Sequence, residues 1–115
     1  MAHLIYKIVP RPLWQQAQES GIFSGAPVDL HDGYIHFSTE EQVRETASKH
    51  FAGQADLLLV AIDGDKLGQA LKYEASRGGA LFPHLYANLP LDTVIWAKPL
   101  PLDGNGQHLF PELHA

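Results

Sequence analysis

The chain has no cysteine, so neither a disulfide frame nor a thiolate metal site can hold it together. No apolar run approaches the roughly 20 residues that a membrane-spanning helix needs. Basic residues are scarce as well: 8 Lys and Arg stand against 13 Asp and Glu, a net charge of −5, and they are scattered along the sequence. A nucleic-acid backbone binder needs a clustered basic footprint, so that class is excluded. The opening Met-Ala-His-Leu-Ile-Tyr-Lys lacks the charged lead and apolar core of a secretory leader, and no Asn-x-Ser/Thr acceptor occurs. The expected setting is cytoplasmic, with no nucleic-acid and no membrane partner. Several motifs are missing too. Without G-x-G-x-x-G or a P-loop string, a Rossmann or Walker site has no support. Without H-E-x-x-H, and with His31 and His36 pointing opposite ways on any shared strand, no metal is implied. A metal-dependent hydrolase would have to gather distant residues such as His36, His84 and Glu74.

At 115 residues and 45% hydrophobic content, the chain is long enough for one domain with a modest core. Leu4 to Val9 is a β-branched and aromatic run closed by Pro10, and it predicts a strand. Pro12 suits a helix first turn, with Leu13, Trp14 and Ala17 as an apolar stripe and Gly21 as the stop. Residues 22 to 32 hold Gly25, Pro27, Asp29 and Asp32-Gly33, which reads as loop and turn. A strand over Tyr34–Phe37 follows. Thr39-Glu-Glu-Gln42 then has the form of a capping box before a helix over residues 40 to 51.

Leu57 to Ile62 is apolar throughout and predicts a strand buried on both faces. Asp65 is placed to cap a short helical piece. Leu71–Glu74, Leu81–Tyr86 and Thr93–Lys98 complete the strands, with Pro83 favouring an edge position. These elements do not alternate strictly, so the expected class is α+β, a single domain over residues 1–98. Residues 99–115 form a turn-rich C-terminal tail, loosely ordered and packed on or trailing from that domain.

Period-2 alternation puts Tyr34, His36 and Ser38 on one face of their strand and Ile35 and Phe37 on the other. His84 and Tyr86 share a face in the same way. A lone strand histidine is most often a satisfied core residue. His36 stands out because Ser38 follows on the same face, beside a helix start at Thr39 whose free N–H groups suit a phosphate. Tyr86 can stack on a flat heteroaromatic ring, and His84 can donate to a hydroxyl or a phosphate. Glu74 is one of few carboxylates on a strand; it is either a solvated edge group or a catalytic or ribose-binding acid. Arg77, before Gly78 and Gly79, reads either as an ordinary soluble loop residue or as part of a loop that its glycines would let move over a ligand.

Gly33-Tyr-Ile-His-Phe-Ser38, Thr39-Glu-Glu-Gln-Val43, Leu57-Leu-Leu-Val-Ala-Ile-Asp63, Lys72-Tyr-Glu74 and Leu81-Phe-Pro-His-Leu-Tyr86 are similar to the ordered motifs of a small bacterial family of unknown function. It is the domain of unknown function numbered 952, and the similarity runs from about Ile5 to Val94. Where the family usually reads Gly-Glu-Leu-Phe-Pro-His-Ile/Leu-Tyr-Gly, this chain has Ala80 for the Glu and Ala87 for the last Gly.

That resemblance implies a compact ADP-ribosyltransferase-like fold, with split, twisted β-sheets around a cleft for NAD and two or three flanking helices. His36-Phe37-Ser38-Thr39 is similar in kind to the His-Gly/Ser-Thr string of such folds, with Phe37 inserted. The expected ligand is NAD, ADP-ribose or a related ribose-phosphate, with NAD as a substrate and not a resident cofactor. Tyr34, His36, Ser38, Thr39, Arg77 and Tyr86 would bind it, while Glu74 and His84 are the catalytic candidates for glycosyl transfer. The alternatives are a non-catalytic interaction or regulatory module with a vestigial cleft, and the metal-dependent hydrolase. No protein partner is identified.

Overall fold

A computed structural model describes residues 3–75 and 78–113. The chain folds as an α+β domain. Three strands, β1 (Leu4–Pro10), β4 (Leu57–Asp63) and β8 (Val94–Pro99), form one antiparallel sheet with β4 in the middle. The apolar run of β4 explains its place: Leu59, Val60, Ala61 and Ile62 are all 0% exposed, which only a central strand covered on both faces permits.

The two faces of that sheet carry separate parts of the core. Ile5, Val9, Leu58, Val60 and Ile62 pack with Trp14, Phe23, Ile35, Phe37, Leu85 and Leu89. Tyr6, Ile8, Leu57, Leu59 and Ala61 pack with Val43, Ala47, Leu100 and Leu113. Helix α1 (Arg11–Ser20) buries Trp14 and Ala17 on the first side and ends at Gly21, as the sequence predicts. Helix α3 (Val43–His50) buries Val43 and Ala47 on the second. It starts later than expected, because residues 39–42 form a turn in which Gln42 Oε1 accepts the Thr39 N–H at 3.0 Å.

A second antiparallel sheet positions the site. Its order is β3 (Ile35–His36), β6 (Leu81–Leu85), β5 (Leu71–Ala75). Strand β6 is therefore central, not an edge. Pro83 is tolerated because its carbonyl, which accepts the Phe37 N–H at 2.9 Å, points toward β3, and β3 has already ended at His36. The N–H that Pro83 lacks would face that same frayed side, so little is lost. The expected four-residue strand at Tyr34–Phe37 is shortened for a related reason. After His36 the chain changes partner: the Ser38 N–H donates to the Tyr6 carbonyl and the Tyr6 N–H to the Ser38 carbonyl, both at 2.8 Å.

Residues 22–32 are not the loop that their turn chemistry predicts. Ile22–Phe23 (β2) pairs with Leu89–Pro90 (β7), and Pro27–Asp32 forms a short helix, α2. Hydrophobic periodicity misses α2 because Val28 and Leu30 point outward, 56% and 66% exposed, so the helix has no apolar stripe. Residues 64–70 form a 3-10 segment capped by Asp63, whose carboxylate accepts the Asp65 N–H; Asp65 itself is not the cap. Thr93 belongs to the turn before β8.

The tail is better anchored than its composition predicts. Leu100 and Leu113 are buried, and Tyr6 Oη donates to the Leu113 carbonyl at 2.9 Å. Among the described residues, no helix is long and apolar enough to cross a membrane.

Candidate functional site

The register of the second sheet places His36 opposite His84, and Ile35 opposite Leu85. Residues paired across antiparallel strands share a face, so both imidazoles emerge on the same side. Their ring centroids are 5.4 Å apart, edge to face. Tyr34 completes the cluster. It stacks on His84 at 4.2 Å, tilts against His36 at 4.7 Å and reaches Tyr86 at 5.2 Å. Four of the expected site residues therefore converge on one patch, and the face alternation of both strands was the signal that found them.

Glu74, one strand over on β5, joins this patch. Its Oε1 accepts the Tyr86 hydroxyl at 2.6 Å and contacts His84 Nδ1 at 2.9 Å. The Tyr86 hydroxyl, followed by the His84 contact, holds the Glu74 carboxyl below its ordinary value, so it is ionised at neutral pH. The same hydrogen bond pushes Tyr86 up to about 12. Glu74 thus suits electrostatic stabilisation or acceptance of a hydroxyl hydrogen bond, and not proton donation. Lys72, on the same strand, places its ammonium 5.8 Å from the Tyr86 ring centroid.

Beneath His36 lies a group that the sequence pattern did not reveal. Asp29, in α2, is 2% exposed and accepts the Ala26 N–H at 2.7 Å, the His36 N–H at 3.1 Å and His36 Nδ1 at 2.6 Å. Lys7 of β1, also buried, lies 3.1 Å from Asp29 Oδ2 and donates to the His36 carbonyl at 2.7 Å. Burial acts to raise the Asp29 carboxyl, but the His36 hydrogen bond, the Lys7 charge and the two amides outweigh it and hold it at about 2. Burial lowers Lys7 from its usual value, and Asp29 opposes that shift.

Local geometry is built around this carboxylate. A Cβ at Gly25 would lie 2.8 Å from the Asp29 Cβ, so the close approach of chain to side chain needs glycine. Gly33, at φ 87°, closes α2 in the left-handed conformation and turns the chain into β3. Only an unusual signal was available in the sequence: a lysine at Lys7, inside an otherwise apolar strand, implies a buried acidic partner.

The remaining candidates lie elsewhere. Ser38 is 5% exposed and its hydroxyl is 2.9 Å from Thr46 Oγ1 on α3. Alternation predicts Ser38 beside His36, but the change of strand partner at Phe37 turns it toward the helix, where it joins packing. Thr39 sits in the turn before α3, with its N–H taken by Gln42. The Gln42 and Val43 N–H groups at the helix start donate to the Thr39 carbonyl, at 3.1 and 3.0 Å. Arg77 lies outside the described residues. Both His36 nitrogens already face carboxylates, Nδ1 that of Asp29 and Nε2 that of Asp32 at 3.0 Å. Among the described residues, no group of three or more His, Asp or Glu is arranged to hold a metal ion.

Tyr34 and Tyr86 also form a wall of an open groove of about 420 Å³, with Ser24, Leu30, Leu85 and Asn88 among its other lining residues. The two tyrosines connect this groove to the Glu74 carboxylate and to both imidazoles, which they contact.

Residues 8–97 match the family model described as Protein of unknown function (DUF952), and the chain belongs to that family. It is similar to the crystal structure of protein CC0527 from Caulobacter crescentus, at 51% identity and a TM-score of 0.88, covering 92% of this chain and 93% of that one. A crystal structure of a double mutant of CC0527 matches at 49% identity with the same coverage and TM-score. The solution NMR structure of CC0527 matches at 51% identity and a TM-score of 0.83, covering 91% and 90%. None of the curated proteins matches.

Proposed function

We propose that this member of the family binds a nucleotide-like ligand, NAD, ADP-ribose or a related ribose-phosphate, on the His36–His84 face. The observation that carries the reading is the convergence of Tyr34, His36, His84 and Tyr86, with ring centroids of neighbouring pairs 4.2 to 5.4 Å apart, beside the Glu74 carboxylate. The base stacks in the groove against Tyr34 and Tyr86, whose volume lies within the usual range of small-molecule sites. Glu74 accepts from the ribose hydroxyls. The expected ADP-ribosyltransferase-like architecture belongs to this proposal, as fold analogy.

With NAD as ligand, the chemistry open to the site is glycosyl transfer. The ribose–nicotinamide C–N bond breaks, its electron pair leaves with nicotinamide, and an acceptor nucleophile forms the new bond to the sugar carbon while losing its proton. An ionised Glu74 steadies the oxocarbenium-like sugar in between. Calorimetry with NAD, ADP-ribose and AMP tests the binding: saturable binding that His36→Ala abolishes is expected. No binding of any of the three at millimolar concentration, or binding indifferent to His36→Ala, overturns it.

A second reading has an observation of its own. Ala80 is exposed at the position where the family pattern carries Glu, which favours a binding module without catalysis. Release of nicotinamide from labelled NAD, lost in Glu74→Gln, decides for the enzyme; binding without release decides for the module.

A further inference from the structure

We propose that His36 Nε2 is the anion-binding donor of this cleft, and that the Asp32 carboxylate is a resident stand-in which a ligand's oxyanion displaces. The inference deepens the nucleotide reading, on which it rests, by naming the group that takes the phosphate.

The two nitrogens of His36 are held very differently. Nδ1 meets the buried Asp29 carboxylate at 2.6 Å, and the His36 amide donates to the same oxygen. Asp29 is further pinned by Lys7 and the Ala26 N–H, so this side of the ring cannot turn away. Nε2 points outward and meets Asp32 Oδ2 at 3.0 Å. The side chains of His36 and Asp32 are each 32% exposed, so the contact sits on the rim, where ion pairs are marginal.

Asp32 also has somewhere to go. It is the last residue of α2, and its Oδ1 already lies 3.0 Å from Nδ1 of His31, whose side chain is 87% exposed. With Nδ1–H given to Asp29, Nε2 donates as the second N–H of an imidazolium ring, and that fixed donor facing a removable acceptor is a position built for exchange. A phosphate oxygen at the Asp32 Oδ2 position makes the same charge-assisted hydrogen bond, with more negative charge behind it. This resolves an apparent conflict in the cleft. Asp29 is offset by Lys7, and Asp32 can withdraw toward His31. Glu74 lies on the far side of His84 from this position, its Oε1 held by Tyr86 and His84. A phosphate on Nε2 of His36 therefore displaces one carboxylate and faces no other directly.

Asp32 therefore competes with the ligand, and removing its charge strengthens anion binding. Calorimetry on wild type, Asp32→Asn, Asp32→Ala and an Asp32→Ala/His36→Ala double variant, with inorganic pyrophosphate, ADP-ribose and uncharged adenosine, tests this. Both single variants are expected to bind pyrophosphate and ADP-ribose at least fivefold more tightly than wild type, with adenosine unchanged and the gain lost in the double variant. Unchanged or weaker anion binding in the single variants overturns the inference, as does a gain that survives loss of His36, or absence of pyrophosphate and ADP-ribose binding in every variant. Adenosine binding alongside any of these results leaves the nucleoside part of the reading standing. Tighter pyrophosphate binding with no response to ADP-ribose or adenosine keeps the anion donor and overturns the nucleotide reading.

Discussion

His36 lies directly opposite His84 in the β3–β6 register, and Tyr34 bridges them by stacking on the second while touching the first. This pairing joins two short polar-aromatic segments, nearly fifty residues apart in sequence, into one surface. Around it sit two carboxylate supports of opposite character: Asp29 is buried and pinned, and Glu74 is open on the rim.

The Lys7–Asp29 pair is expected to be asymmetric in its effect on stability. Asp29→Asn leaves the Lys7 ammonium buried without its counter-charge and should cost about 3 kcal/mol in denaturant unfolding. Lys7→Met removes the other charge, yet Asp29 keeps His36 and two amides. It should cost clearly less. Equal losses in the two variants would show that His36 and the amides do not support Asp29.

Acid stability should carry the signature of Asp29. Its carboxyl is lowered from 3.8 to about 2 on folding. A depressed folded value means that the unfolded chain takes up the proton first, so the stabilisation is complete above about pH 5 and is lost as pH falls through about 4 to about 2. Its size is about 2 kcal/mol. Denaturant midpoints measured between pH 6 and 2 should fall across that window in wild type, and the Asp29 part of the slope should vanish in Asp29→Asn.

Tyr86→Phe removes the first cause of the depressed Glu74 carboxyl. The Glu74 titration, followed by carbon NMR of its carboxyl, should move upward toward the ordinary glutamate value. Because Tyr86 and Glu74 both sit on the exposed rim, the thermal midpoint should change little. A Glu74 titration that stays in place would mean that His84 alone sets it.

Ser38→Ala separates packing from binding. Its hydroxyl is paired with Thr46, which also donates to the Gln42 carbonyl at 3.1 Å and so keeps a partner. A loss of about 1 kcal/mol or less in stability is expected. Affinity for ADP-ribose should be unchanged, in contrast to His36→Ala. Weaker ligand binding in Ser38→Ala would return that hydroxyl to the cleft.

The sequence alone determined which segments become strands and which become helices wherever burial is one-sided or complete. The unbroken run Leu57 to Ile62, too short for a buried helix, fits best as a strand covered on both faces, and Leu13, Trp14 and Ala17 fit a helix with one face covered. It also determined that His36 shares a face with Tyr34, and His84 with Tyr86, because pleating fixes alternation locally. Tertiary structure decided what long-range pairing alone can set. The match of β3 with β6 brought the two histidines together. The switch of partner after His36 sent Ser38 into the core side of α3, and the short helix α2, with no apolar stripe to betray it, delivered Asp29 and Asp32 to the two nitrogens of one imidazole. Local pattern fixes the direction of a side chain; only the packed sheet fixes what it meets.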